Sequence, residues 1–384
     1  MKVYFVTGEP SGDLLASSLM KALRDKAPDV KFYGVGGETM KSYGFDSMFN
    51  MAELTVMGFF EVVPRLPLIL KRLKQTVVDI EKVAPDIIIT VDSWGFVGAL
   101  LSRLKKRNIS IPKLHYVAPQ VWAWKKSRAK NVAKLTDRLM TLLPNEPQYF
   151  EKYGLKCDFV GHPVVENRID EIDVGDFITK YNIPPNACIL SVLPGSRNSE
   201  VKRLIPVFMK AIEILATKID NLFVVVPTVE TVVIEVRKAF ENSNIPYRII
   251  TGRNERYAAF KQSIAAIAAS GTVSLELASC KTPHVVAYKF NSLTNFLANI
   301  FVNVKYANLI NLLCNREIIP EFMLYECNAD LIANKTFELT DSKVAEKMIA
   351  ETAKGLQKLR LPDILPSEKA AEIVIEEVRK SDER

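Results

Sequence analysis

Four groups of residues have the types and spacing from which chemistry can be built. Pro194-Gly195-Ser196-Arg197 closes the apolar run Cys188 to Leu193 and precedes a helical pattern from Glu200. Backbone N–H groups at a helix start carry partial positive charge that favours a phosphate, and a guanidinium can grip one with two parallel hydrogen bonds. The plainer alternative is a surface turn whose Arg197 pairs with Glu200. Ser270-Gly271-Thr272 repeats the arrangement after Ile264 to Ala269, with Glu276 one helical turn further on. Such a turn could cradle a diphosphate, and Glu276 could accept hydrogen bonds from a ribose diol because a carboxylate offers only acceptors. A capping-type glutamate is the other reading. Asp92 follows the apolar run Ile87 to Val91. A partly desolvated carboxylate at a strand's mouth holds a proton more tightly and can act as a general base, or it can simply cap a helix. The fourth group, Gly8-Glu9-Pro10-Ser11-Gly12-Asp13, ends the first apolar run, Lys2 to Thr7. A carboxylate beside that helix start suits neutral hydroxyls better than phosphate, and Asp13 is a candidate cap for its own helix.

These turns need strands to hold them. Apolar runs recur at Ile87 to Val91, Leu114 to Val117, Leu139 to Leu143 and Phe159 to Val160. In the second half they recur at Leu222 to Val226, Arg248 to Thr251, Ile264 to Ala269 and His284 to Ala287, with helix-period segments between them. Strand and helix signals in alternation argue for parallel, doubly wound sheets. The same opening, strand then small-residue turn then helix, occurs at Lys2 and again at Cys188, which implies two α/β domains. In open α/β sheets the ligand crevice lies beyond the carboxyl ends of the strands, so two domains facing each other would enclose one cleft. The expected domains span 1–165 and 180–360, and the polar, acidic stretch from Val164 to Thr179 between them reads as a linker. Ala370 to Arg379 reads as an amphipathic helix.

Composition excludes several classes. The 384 residues are 48% hydrophobic and 25% charged, the balance of an ordinary globular chain. A formal charge of +7 is modest and the basic residues are spread along the chain, so nucleic acid is not an expected partner. Five widely spaced cysteines without a C-x-x-C pair support neither a disulfide framework nor a zinc site, and three scattered histidines argue against a metal centre. Neither G-x-G-x-x-G nor G-x-x-x-x-G-K-[ST] occurs, which removes support for nicotinamide chemistry and P-loop hydrolysis. The short first run lacks the pattern of a signal peptide and no apolar stretch reaches the roughly 18 residues of a spanning helix, so a soluble cytoplasmic protein is expected.

Other segments combine apolar and basic residues. Trp122-Ala123-Trp124 precedes Lys125, Lys126 and Arg128, a pairing able to hold a phosphorylated sugar, although core packing is the commoner use of tryptophan. Leu66, Ile69, Leu70, Leu73, Val77 and Ile80 form one helical stripe preceded by Val56-Met57-Gly58-Phe59-Phe60 and surrounded by Arg65, Lys71, Arg72 and Lys74. Leu293, Phe296, Leu297, Ile300, Phe301 and Val304 form a second, bracketed by Lys289 and Lys305. Such stripes ordinarily face a core; the extra apolar residues and flanking cations are what an interfacial helix or acyl-chain groove adds.

Taken in order, the segments Gly8 to Asp13, Val35-Gly36-Gly37, Glu53 to Gly58, Val117 to Trp124, Phe159 to Pro163, Leu193 to Arg197, Ser270-Gly271-Thr272 and Asn311-Leu312-Leu313 resemble those of the lipid-A-disaccharide synthase family. The resemblance implies a GT-B fold, two Rossmann-like domains whose parallel sheets face an interdomain cleft, with a C-terminal helix (about 365–384) returning to the first. It implies an inverting glycosyltransferase that needs no metal or other cofactor. The reaction would join UDP-2,3-diacylglucosamine to 2,3-diacylglucosamine 1-phosphate, with the acceptor in the first domain and the UDP-sugar in the second. By the same resemblance Asp92 and Glu9 serve catalysis. Ser11, Gly12, Trp122, Arg128 and Asn311 bind substrate, and Gly195, Ser196, Arg197, Ser270, Gly271, Thr272 and Glu276 bind UDP. Peripheral attachment to the cytoplasmic face of the inner membrane and a homodimer are further expectations. The chain departs from the family pattern at Gly95 and Val97, where an acidic residue and an asparagine are usual, and at Leu324, where glutamine is usual. A different GT-B enzyme acting on UDP-N-acetylglucosamine, a transferase or an epimerase, would use the stripes as plain core. A non-catalytic sugar-nucleotide binding protein would use Asp92 only as a cap.

Overall fold

The computed structural model describes residues 1–54, 59–121, 127–167, 169–289 and 305–382, with backbone only at 59–63, 325 and 382. The chain divides into two compact units: Met1–Glu166 with Leu359–Arg384, and Asn167–Lys358. Each contains one parallel six-stranded sheet. In the first unit β1 (Lys2–Thr7), β2 (Lys31–Val35), β3 (Ile87–Val91), β4 (Lys113–Tyr116), β5 (Arg138–Thr141) and β6 (Lys156–Phe159) lie in the order β2-β1-β3-β4-β5-β6. In the second unit β7 (Cys188–Leu193), β8 (Leu222–Pro227), β9 (Tyr247–Ile250), β10 (Ala265–Ala269), β11 (His284–Tyr288) and β12 (Glu321–Met323) lie in the order β12-β11-β10-β7-β8-β9.

Helices cover both faces of the first sheet, which is why its central strands read as continuous apolar runs instead of alternating ones. Val3 and Phe5 of β1 pack with Leu19 and Leu23 of helix Pro10–Lys26 and Val374 of helix Pro366–Asp382. Tyr4 and Val6, pointing to the opposite face, pack with Val77 and Ile80 of helix Phe59–Val83 and with Leu100 and Leu104 of helix Trp94–Lys106. The C-terminal helix is further held by charge. Arg138 of β5 is only 2% exposed and forks onto Asp158 of β6 at 2.6 and 3.0 Å, while its Nη1 reaches Glu376 at 2.9 Å and Glu377 at 3.2 Å.

Two expectations are corrected here. The stretch read as a linker is packed structure: short helical turns at Ile169–Glu171 and Gly175–Lys180 bury Ile169 and Phe177 against the second unit's core. One apolar residue every few positions suffices to anchor so short a segment, and its polar neighbours hide that signal. The first apolar stripe also divides. Leu73, Val77 and Ile80 are core, Ile69 is half-buried, and Leu66 and Leu70 stand 46% and 45% exposed. The second stripe lies outside the described residues, as do Val56, Met57, Gly58 and Trp122 to Lys126. No described helix is long and apolar enough to cross a membrane.

Burial sets the pH response of this fold. All three histidines are buried, which lowers His115 to about 3 and His162 and His284 to about 4. Burial also raises Glu146 to about 7 and pushes Glu166 and Glu276 up. The signs oppose one another. Below about pH 6.5 the unfolded chain gains protons on histidine that the native state refuses, whereas the native state gains protons on the buried carboxyls that the unfolded chain takes only near pH 4.5. Below that point the histidines act unopposed, joined by Glu376, which hydrogen bonds from Lys380 and Arg138 hold down to about 2. Urea denaturation is expected to show stability falling less steeply between about pH 6.5 and 5, where the two sets of groups oppose each other, than below about 4.5. A loss equally steep from about pH 6.5 downward would contradict this balance.

Candidate active site

Strand order locates the site. In the first unit the chain winds from β1 outward to β2 and then reverses through β3, so β1 and β3 flank the point where the order switches. In the second it winds from β7 to β9 and then reverses through β10, so β7 and β10 flank the corresponding point. Ligands of open α/β sheets bind outside the carboxyl ends of the strands at such switch points. The Gly8–Asp13 turn follows β1 and Asp92 follows β3; the Gly195–Arg197 turn follows β7 and the Ser270–Thr272 turn follows β10. All four groups singled out by chemistry thus sit at the two switch points, two in each unit.

The first switch point is strained. Asp92 and Ser93 both adopt left-handed backbone (φ 52° and 45°), and Val117, after neighbouring β4, has φ 80°. None is glycine, and such conformations cost of order 1–3 kcal/mol each, persisting where the surroundings over-determine them. Asp92 is held by its N–H donating to the Tyr116 carbonyl at 2.9 Å, and its side chain is half-buried. Ser93 precedes helix Trp94–Lys106 but does not cap it, and its Oγ is buried without a hydrogen-bond partner among the described residues. A Cβ on Gly8 would come within 2.7 Å of that oxygen, so only glycine lets the turns after β1 and β3 meet. Glu9, half-buried, stands at the N-cap of helix Pro10–Lys26 without capping it through its side chain; Ser11 is exposed and Gly12 buried. Arg128 is half-buried in the first turn of helix Ser127–Leu135, which follows β4.

Asp13 has a different task from the expected self-cap. Its buried carboxylate accepts from the N–H groups of Gly37 (2.7 Å), Thr39 (2.8 Å) and Met40 (3.2 Å), so it caps the neighbouring helix Glu38–Ser42 and ties the turn after β1 to the turn after β2. Sequence gave no sign of this because the partners lie 24 to 27 positions away. Asp13→Ala would leave three backbone donors, that of Met40 buried and those of Gly37 and Thr39 partly so, without their charged acceptor. A loss of about 2–4 kcal/mol in unfolding free energy is expected, checked by urea denaturation; a change below 1 kcal/mol would show that the three bonds contribute little.

At the second switch point Gly195 has φ 113°, and Ser196 and Arg197 are exposed. Glu200, in the first turn of helix Asn198–Ala216, is buried and receives both a hydrogen bond from the Ser196 N–H (3.3 Å) and an ion pair from Arg197 Nη1 (2.7 Å). The pairing considered as the plain alternative for Arg197 is therefore present. Ser270 is half-buried, and Gly271 and Thr272 are exposed, ahead of helix Val273–Ser279. Glu276 on that helix accepts from Arg256 Nη2 at 3.0 Å and from the Tyr257 hydroxyl at 3.3 Å through Oε1. Its Oε2 and the Arg256 Nε are both buried with no hydrogen-bond partner among the described residues. An ion pair with an orphaned acceptor on one member and an orphaned donor on the other suits a ligand hydroxyl, which can donate to the first and accept from the second. Among the described residues no group of three or more His, Cys, Asp or Glu side chains is placed to hold a metal ion.

Asn311 is placed differently from its expected role as a substrate contact. It is fully buried; its Nδ2 donates to the Ile319 carbonyl and to Glu321, both at 2.7 Å, and its Oδ1 accepts from the N–H groups of Ile318 and Ile319. Those bonds shape the loop that leads into β12. Beside it runs a chain that sequence analysis missed: Asn308 Nδ2 donates to Ser274 Oγ (2.6 Å), which bonds His284 Nε2 (2.7 Å), while His284 Nδ1 faces the Thr282 carbonyl (2.8 Å). The side chains of Asn308, Ser274 and His284 meet across separations of 34 and 10 positions, so no local motif announces the group. Leu324, where the family usually has glutamine, holds left-handed backbone at φ 57° just after β12.

Two Rossmann-like units with their candidate residues at paired switch points define a protein of the GT-B class. Solved structures agree on the fold. A UDP-GlcNAc 2-epimerase from Neisseria meningitidis aligns with TM-score 0.66 at 12% identity, covering 99% of this chain and 100% of that one. MurG from Acinetobacter baumannii aligns with TM-score 0.56 at 12% identity, covering 99% of each chain. The particular family comes from sequence: the chain belongs to the lipid-A-disaccharide synthetase family, whose profile matches residues 3–374. The lipid-A-disaccharide synthase of Paramagnetospirillum magneticum is 44% identical, covering 100% of this chain and 99% of the relative. That of Rhodospirillum centenum is 42% identical, covering 98% and 95%.

Proposed function

We propose that this glycosyltransferase joins UDP-2,3-diacylglucosamine to 2,3-diacylglucosamine 1-phosphate, forming the lipid A disaccharide 1-phosphate and UDP. The observation that carries the reading is the pair of switch points in a member of this family, one built around an acidic side chain and the other around an arginine turn and an incompletely bonded Glu276–Arg256 pair. The first unit holds the acceptor and Asp92 takes the proton from its attacking hydroxyl. That oxygen bonds to the donor's anomeric carbon as the bond from this carbon to the diphosphate oxygen breaks, so a single displacement inverts the configuration. UDP leaves with its charge met by Arg197 and by the amides of the Gly195–Arg197 turn, a preorganised electrostatic contribution that requires no metal. Glu276 and Arg256 receive a ribose hydroxyl. Glu9, Ser11 and Arg128 contact the acceptor sugar and its phosphate.

Calorimetry with UDP tests the donor half. Arg197→Ala is expected to weaken binding about tenfold or more, since hydrogen bonds to charged groups contribute roughly 1.5–3 kcal/mol. Unchanged affinity would remove the donor from this turn.

Both substrates carry acyl chains, and the exposed Leu66 and Leu70, with Arg65, Lys71 and Lys74 exposed around them, supply an apolar and cationic face for a lipid surface. The double substitution Leu66→Glu with Leu70→Glu leaves the core residues Leu73, Val77 and Ile80 untouched. It is expected to preserve folding and to cut co-sedimentation with anionic phospholipid vesicles at least tenfold, from the loss of roughly 1.5–3 kcal/mol of burial per leucine. Undiminished sedimentation would place the membrane face elsewhere.

A further inference from the structure

Glu200 occupies the place that an anion would take. Its carboxylate accepts from the Ser196 N–H through Oε2 and from Arg197 Nη1 through Oε1, so one side chain engages two of the donors assigned above to the departing diphosphate. The fit is close. A Cβ on Gly195 would lie 2.8 Å from Glu200 Oε2 and 2.9 Å from the Glu200 Cβ, so glycine at this position is already required by Glu200, before any ligand arrives. The Glu200 side chain is 11% exposed, against 49% for the Arg197 side chain that it holds. Arg203 and the Tyr288 hydroxyl complete the surroundings: the charges of Glu200, Arg197 and Arg203 all act on that hydroxyl.

We propose that Glu200 is an internal competitor of the nucleotide diphosphate, holding Ser196 and Arg197 in place in the empty protein and weakening the hold on UDP. The inference rests on the reading that the Gly195–Arg197 turn receives the diphosphate, and it adds a residue that sets how tightly the turn does so. A guanidinium has five N–H donors and Glu200 uses one nitrogen, so Arg197 is kept oriented with donors to spare. A diphosphate that docks on the same turn then either displaces the carboxylate from Ser196 and Arg197 or binds beside a like charge. Both routes lower affinity for the charged ligand and leave its uncharged part unaffected. For an enzyme whose product is UDP, the consequence is faster release of that product. The opposing possibility is a plain helix cap, in which Glu200 supports the turn and its loss weakens every ligand.

The two accounts differ in sign. Calorimetric titration with UDP, and separately with uridine, is applied to the unsubstituted protein, Glu200→Gln, Arg197→Ala and the double variant. Glutamine keeps the shape and one acceptor oxygen for the Ser196 N–H while removing the charge. Glu200→Gln is expected to bind UDP about two- to fivefold more tightly, the range of a partly exposed ion pair, with uridine affinity unchanged. In the Arg197→Ala background that gain should largely disappear, because the contested donor is gone. In turnover, Glu200→Gln should be inhibited by UDP at correspondingly lower concentration. Weaker or unchanged UDP binding by Glu200→Gln, alongside the weakening expected of Arg197→Ala, overturns the competitor role and leaves the donor site standing. Unchanged binding by Arg197→Ala overturns the donor site and the competitor role with it. Should Glu200→Gln fail to fold, Glu200→Ala, which removes both the charge and its contacts, carries the same expectation of tighter UDP binding.

Discussion

Asp92→Asn is expected to fold and bind UDP as the unsubstituted chain does and to lose turnover by about 10²- to 10⁴-fold, the contribution of a positioned base. Asparagine is the informative replacement because the backbone there is left-handed, at φ 52°, and asparagine is among the few residues that accept this conformation readily. Alanine would confound the loss of the base with strain at the turn. The variant should also lose whatever limb of the pH profile of kcat/KM reports ionisation of the base, while keeping its melting temperature. Turnover within a fewfold of the original, in a protein that still binds UDP, would remove Asp92 from catalysis and leave its carboxylate a role in the strained turn alone.

The second large effect is structural. Arg138→Ala is expected to lower the stability of the first unit by about 3–5 kcal/mol, because the fully buried guanidinium balances Asp158 on one edge and Glu376 and Glu377 on the other. Removing it leaves Asp158 partly buried without its partner and releases the charge clamp on helix Pro366–Asp382. Against a typical total of about 5–15 kcal/mol, a loss of that size frees the C-terminal helix in a visible fraction of molecules. Limited proteolysis should cut the variant near residue 365 well before the unsubstituted chain, and urea unfolding of the first unit should move to lower concentration. Asp158→Ala, which leaves Arg138 paired to the two glutamates, should cost less. Equal resistance to protease in all three proteins would show that apolar packing alone, through Ala370, Ala371 and Val374, holds the helix.

The central strands were legible because strands covered on both faces need apolar residues at every position, and Ile87 to Val91 or Ala265 to Ala269 leave little else to infer. Two of the edge strands, β2 and β12, were not. β2 carries Lys31 and Tyr33 in a half-covered position, and β12 has three residues, too few to show a period. The four chemical turns were legible for a local reason, a strand followed by small residues and a helix start, and that pattern is what places them at the switch points. What stayed hidden depends on residues distant in sequence. Asp13 caps a helix that begins 25 positions on, Asn311 braces a loop instead of presenting its amide, and Arg138 finds its glutamates 238 and 239 positions away. The stripe from Leu66 to Ile80 shows the limit of periodicity. Its spacing fixes one face of a helix, yet the neighbours that cover only the later half of that face are set by the sheet and helix Trp94–Lys106.

The proposed reaction can be followed in a turnover measurement with purified protein, UDP-2,3-diacylglucosamine and 2,3-diacylglucosamine 1-phosphate in mixed micelles. Mass spectrometry should find an acylated glucosamine disaccharide 1-phosphate and UDP formed in equal amounts. Proton couplings of the new linkage should show the anomeric configuration opposite to that of the donor. UDP released without disaccharide, a disaccharide with the donor's configuration retained, or no consumption of either substrate would contradict it.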